Sequence, residues 1–251
     1  MNSDKLGEFH ASSITAPASP QVYVRIGGIL YLIIIIAGAL GEIFIRGKLI
    51  VSGDALSTAS NIMASLSLWR IGIAGDLLMH VCDIPLMLIF YRLLRPVNKN
   101  LALVALLFNA IQTAVLVANK LNLLMPLFIL GNADYLKTFQ SNQLSAMAYF
   151  FIRAHDYGLG IGLIFFGFAC LVYGYLLFRS GYFTRTLGVL MTIAGLSYLT
   201  NSFTLILVPT YAGTVFPGLV LALIGELSLC LWLIVKGVDL SKWENRTLES
   251  A

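Results

Sequence analysis

The chain has 251 residues, of which 59% are hydrophobic and only 11% charged, and its mean hydropathy is +0.87. That balance excludes an ordinary soluble domain and points to a polytopic helical membrane protein. The formal charge of +4 is no nucleic-acid footprint, because Lys and Arg sit at the ends of apolar runs with no basic stripe among exposed aromatics.

In chain order, residues 1–21 are rich in Ser, Ala and Pro and predict a disordered tail. They do not resemble a signal peptide, since the polar stretch is long and the next apolar run is of spanning length. Residues 22–238 then form one membrane domain, and 239–251 a short C-terminal tail. Six spans are expected, over 22–45, 71–94, 101–124, 154–178, 186–207 and 216–235, each with about 20 residues to cross the hydrocarbon. Helix is dictated because irregular backbone cannot face lipid. The fold class is therefore all-α, a six-helix transmembrane bundle.

Between the first two spans, residues 54–69 place Leu56, Ala59, Ile62, Met63, Leu66 and Trp69 along one helical face. Small polar residues cover much of the rest, which predicts a short amphipathic helix on the outer surface. Residues 142–153 are expected to extend the fourth helix beyond the membrane on that same side. Cys82, Cys170 and Cys230 all lie within apolar runs and read as small core residues, not as a disulfide framework.

Ionisable residues inside the spans need a reason to be there, since a charge at mid-membrane costs about 2.5–3.5 kcal/mol on insertion scales. The second span carries Asp76, His80 and Asp83, spaced four and three apart and so on one helix face. Such a ladder can relay protons, supply metal ligands or act as a polar seam between helices. Glu226 lies at similar depth in the sixth span. Glu42, Asn119, Lys120, Arg153, His155, Asp156 and Asn201 crowd into the same half of the membrane. Gly158 and Gly162 form a small-xxx-small element for close helix approach.

Orientation follows from the bases. Lys5, Arg25, Arg92, Arg95, Lys99, Arg179, Arg185, Lys236, Lys242 and Arg246 fall on one side. Arg46, Lys48 and Lys137 fall on the other, with Arg70 and Arg153 at its border. By the positive-inside rule both termini are expected in the cytoplasm.

The pieces Arg25-Ile-Gly-Gly-Ile-Leu-Tyr-Leu, Arg46-Gly-Lys-Leu-Ile-Val-Ser-Gly-Asp54, Leu68-Trp-Arg-Ile-Gly72, Tyr91-Arg-Leu-Leu-Arg-Pro-Val-Asn98 and Gly225-Glu-Leu-Ser-Leu-Cys-Leu-Trp-Leu-Ile-Val-Lys-Gly-Val238 resemble an uncharacterised bacterial membrane family, the domain of unknown function 4386. The resemblance implies a multi-helix protein of the bacterial inner membrane and carries no activity with it. A looser resemblance, through His80-x-x-Asp83, is to six- and seven-helix membrane hydrolases that bind zinc. Their second paired-His motif has no counterpart here.

The expected function is binding or transport of a small solute or cation through an outward-facing polar cavity. Asp76, His80 and Asp83 would form the titrating ladder and Glu226 the counter-site, with proton coupling. A rival is a metal-dependent intramembrane enzyme in which His80, Asp83, His155 and Asp156 hold zinc. A third is a non-catalytic membrane partner whose polar residues are structural. No G-x-S-x-G, phosphate loop, H-E-x-x-H or C-x-x-C occurs, so the non-enzymatic reading is preferred and no cofactor other than that zinc is expected. The expected partners are the bilayer and an unidentified small molecule or cation, not nucleic acid; the oligomeric state stays open.

Overall fold

The computed structural model describes residues 20–131 and 133–249. Of the tail expected over 1–21, only the last two residues are among them, and they already belong to the first helix. That helix, α1 (Pro20–Leu49), is continuous but changes pitch to a π-helical stretch over Leu40–Arg46. A short helix, α2 (Ala55–Ala64), follows; its N-cap Asp54 accepts a hydrogen bond from the Ser57 amide. The spans α3 (Leu66–Leu94), α4 (Lys99–Ile129), α5 (Ser141–Ser180) and α6 (Arg185–Leu207) come next. The last span, α7 (Pro209–Val235), becomes a regular α-helix only from Leu219. The chain then forms α8 (Leu240–Glu249).

The fold is all-α, with no strand among the described residues. Six helices, α1 and α3 to α7, are long and apolar enough to cross a membrane, and the chain is a multi-pass membrane protein. Two boundaries differ from expectation. Residues 66–69 do not prolong the outer amphipathic helix; the chain bends at Ser65 (φ −132°, ψ 39°) and they open the second span. There Trp69 is buried and its indole donates to the Leu123 carbonyl at 2.9 Å, satisfying the one polar atom of a large apolar ring. The stretch expected as a C-terminal tail carries α8, whose Leu240 and Trp243 pack on the core. The expected extension over 142–153 is the first part of α5.

Each span packs on the next in sequence, and α7 returns to α1, so the six spans close into a ring. The tightest seam joins α5 and α6. A Cβ added to Gly188 would lie 2.6 Å from the Gly174 carbonyl oxygen, and one on Gly195 would lie 2.7 Å from that of Gly167. Backbones touch there, as small residues permit where helix association in lipid relies on close packing. The expected pair Gly158 and Gly162 does similar work toward α4, receiving Asn119 and Leu116. The main core fills the end of the ring bearing the start of α1 and α8, through Val24, Phe90, Leu94, Leu176, Leu177 and Leu233. A smaller core beneath α2 joins Ile62, Trp69, Leu123 and Ile152.

Candidate functional site

The polar side chains inside the ring separate into two layers. The first lies toward the α2 end. Arg46 Nη1 and Nη2 grip Asp76 Oδ2 and Oδ1 at 2.8 and 3.1 Å, a fork on a carboxylate. Lys120 Nζ reaches the same Oδ2 at 2.9 Å, and Glu42 Oε1 meets Arg46 Nη2 at 2.9 Å. Lys120 Nζ also approaches His155 Nε2 at 3.4 Å, while Asn119 Nδ2 donates to the His155 carbonyl and Asn122 Nδ2 to Asn119 Oδ1. The π-helical stretch makes this possible. Its wider turn stacks residues five apart, so Arg46 comes to lie over Gly41. A Cβ on Gly41 would stand 2.6 Å from Asp76 Oδ1 and 2.7 Å from Arg46 Nη2. Only a bare backbone leaves the pair its space.

The second layer sits deeper. Asp83 Oδ2 accepts hydrogen bonds from Asn109 Nδ2 at 3.0 Å and from the Thr113 hydroxyl. Glu226 Oε1 accepts one from the Tyr198 hydroxyl, and Tyr31 stands beside the same carboxyl. Cys170 and Tyr173, both buried on α5, belong to the same layer. Counting from the α8 end of each helix at about 1.5 Å per residue, Asp83 is roughly 16 Å in and Glu226 roughly 14 Å. That common depth puts the two carboxylates in one layer of the ring. All six spans contribute to this acid–phenol layer. Among the described residues, neither Asp83 nor Glu226 has a Lys, Arg or His within salt-bridge distance.

The expected triad is thus divided. Asp76 and Asp83 share a face of α3, but seven residues separate them by roughly 10 Å along the axis, and each joins a different layer. His80 lies between, 2% exposed, with Nε2 unpartnered. In place of an open cavity, Asp76 is 1% exposed and its oxygens are taken up by two bases. Among the secondary residues, Glu42, Lys120, Asn119 and His155 join the ion layer. Arg153 and Asp156 pair with each other at 2.7 Å on the surface, and Asn201 is half-buried on α6. The residues expected to hold zinc are not gathered: His155 Nε2 faces Lys120, and Asp83 faces Asn109 and Thr113. No group of three or more His, Cys, Asp or Glu among the described residues is placed to hold a metal.

Arg46, expected only as a base of the outer side, and Tyr31, Tyr173 and Tyr198 are site residues that the sequence reading does not include. The i, i+4 pair Glu42 and Arg46 beside Gly41 was a signal for the first. Tyrosines at mid-span depth were the signal for the others, since a buried phenol needs a partner.

The family described as Domain of unknown function (DUF4386) matches residues 26–237, the whole ring from α1 to the end of α7. The chain belongs to this family. Both polar layers therefore lie inside the DUF4386 region. A protein of Archaeoglobus fulgidus, described as an uncharacterized protein, is 27% identical over 170 residues, covering 68% of this chain and 86% of the relative. No solved structure matches the chain.

Proposed function

We propose that this DUF4386 protein binds a small solute or cation in the acid–phenol layer and moves it across the membrane with proton coupling. The observation that carries this reading is the convergence of all six spans on Asp83 and Glu226. These are a half-buried and a buried carboxylate, and their hydrogen-bond donors are neutral amides and hydroxyls. Intramembrane acids that face the bundle interior without a base mark ion and proton paths more than structural glue. The excess of bases at the α8 end, with Arg92, Arg95 and Lys99 among them, supports placing both termini in the cytoplasm of a bacterial inner membrane. The outward-facing route then passes the ion layer, and Arg46 or Lys120 must release Asp76 for it to open.

Proteoliposomes with a pH-sensitive dye inside test this. Wild-type protein should move protons when Na⁺, K⁺, methylammonium or a panel of small neutral solutes is added outside, and D83N and E226Q should lose most of that movement. Wild-type vesicles indistinguishable from protein-free ones across the panel would refute transport.

A further inference from the structure

Every helix packed around the acid–phenol layer presents a group to it. These are Tyr31 from α1, Asp83 from α3, Asn109 and Thr113 from α4, Cys170 and Tyr173 from α5, Tyr198 from α6, and Glu226 with Cys230 from α7. None of these groups carries positive charge. The same helices treat Asp76 in the opposite manner, giving it a guanidinium fork and an ammonium group. Two carboxylates at one depth in a low-dielectric interior cannot both stay ionised without a countercharge, because each loses its hydration and repels the other. The layer must therefore hold a cation.

The donor pattern shows which. Asn109, Thr113 and Tyr198 turn their hydrogens toward carboxylate oxygens, and no group of three or more His, Cys, Asp or Glu among the described residues is placed to hold a metal. A metal cation needs several ligand atoms converging on one centre; a proton needs one oxygen. Both donors to Asp83 meet Oδ2, which leaves Oδ1 for an O–H bond. A second, independent feature belongs to the same layer. The Tyr173 hydroxyl is buried, with the residue 4% exposed, and has no hydrogen-bond partner. A phenol can donate and accept at once, so it is suited to receive a proton and hand it on.

We infer that Asp83 and Glu226 form a proton-binding pair that carries one shared negative charge, with Tyr198 and Tyr173 as its relay hydroxyls. On loading, a proton from water forms an O–H bond on one of the two carboxyls and one negative charge leaves the layer. On release that bond breaks and the proton returns to water, with no other bond changed. His80 lies along α3 between the two layers, with Nε2 unpartnered. This assignment names the ion of the transport reading, but it can be tested without flux.

The test is infrared difference spectroscopy on the full chain in nanodiscs. Wild-type protein should show a protonated-carboxyl C=O absorption at neutral pH that is lost as pH rises. E226Q and D83N should each abolish or shift it. Y198F, which keeps the ring and its packing, should shift its frequency by removing the hydrogen bond to Glu226. The pair is overturned by absence of the absorption at neutral pH, by an absorption unchanged in every variant that folds, or by its loss on adding Na⁺ at constant pH. Vesicles that move nothing while the absorption is present would refute transport and leave the pair standing. Flux without the absorption would refute the pair alone.

Discussion

Gly41 and Asp76 show how little space decides the charge arrangement. In G41A the new methyl must push against Asp76 Oδ1 or Arg46 Nη2, both under 3 Å away and both locked in the ion layer. Overpacking of this kind costs about 1–3 kcal/mol, and the unfolding temperature in detergent should fall accordingly. D76N should cost more, about 3–5 kcal/mol, because it leaves Arg46 and Lys120 buried without their shared carboxylate. D76N combined with K120M should recover part of that loss, a non-additive result a thermal-unfolding cycle would detect. An unfolding temperature unchanged in D76N would remove the ion layer from the stability of the bundle. At this scale Asp76 was legible in the sequence, since a lone charge in an apolar run demands a partner. Arg46 was legible only as an i, i+4 partner of Glu42; its reach to Asp76 was not, because an arginine at the end of a span ordinarily reaches for the interface, and a π-helical stretch leaves no pattern in the residue types.

Among the elements, α2 is the one whose start the sequence spelled out. Asp54 Oδ1 accepts from the Ser57 amide at 2.9 Å and Oδ2 from the Ser57 hydroxyl at 2.6 Å. These bonds favour the ionised carboxyl and hold it below the usual carboxylate range. A depressed carboxyl stabilises the fold above its unfolded-state value, and that contribution is lost as pH falls through the folded-state value. Hydrogen exchange of α2 amides, corrected for intrinsic rates, should therefore show protection that weakens on the acid side in wild type. In D54N, whose amide oxygen can still cap but does not titrate, the acid-side loss should flatten. Equal pH dependence in both proteins would remove Asp54 as the cause. The end of α2 was not legible. The apolar period runs on through Leu66 and Trp69, and the bend at Ser65 follows from where Trp69 finds the Leu123 carbonyl, on a helix more than fifty residues away. For α8 the signal was present in Leu240 and Trp243, but only the core surface they dock on distinguishes a helix from a polar tail.

For the molecule as a whole, the proposed topology predicts that single cysteines at Asn98 and Thr214 are reached from opposite sides of the membrane. Asn98 caps α4 at the α8 end and Thr214 lies in the short α-helical turn Ala212–Val215 that opens α7 at the α2 end. An impermeant thiol reagent on intact cells should modify Thr214→Cys alone; modification of both would refute the six-span arrangement. Composition and run length determined by themselves that this chain forms six apolar helices, since lipid leaves the backbone no other way to satisfy its hydrogen bonds. They also determined that the intramembrane charges must turn inward, since lipid solvates none of them. What only the tertiary structure decided is which charges meet. Ring closure through α7 and α1, the π-helical stretch and the depth difference along α3 gave Asp76 two bases and left Asp83 and Glu226 among phenols and amides. Helical spacing assigns a residue to a face, but its partners depend on which neighbour stands at the same depth, and that is set by packing across the whole ring.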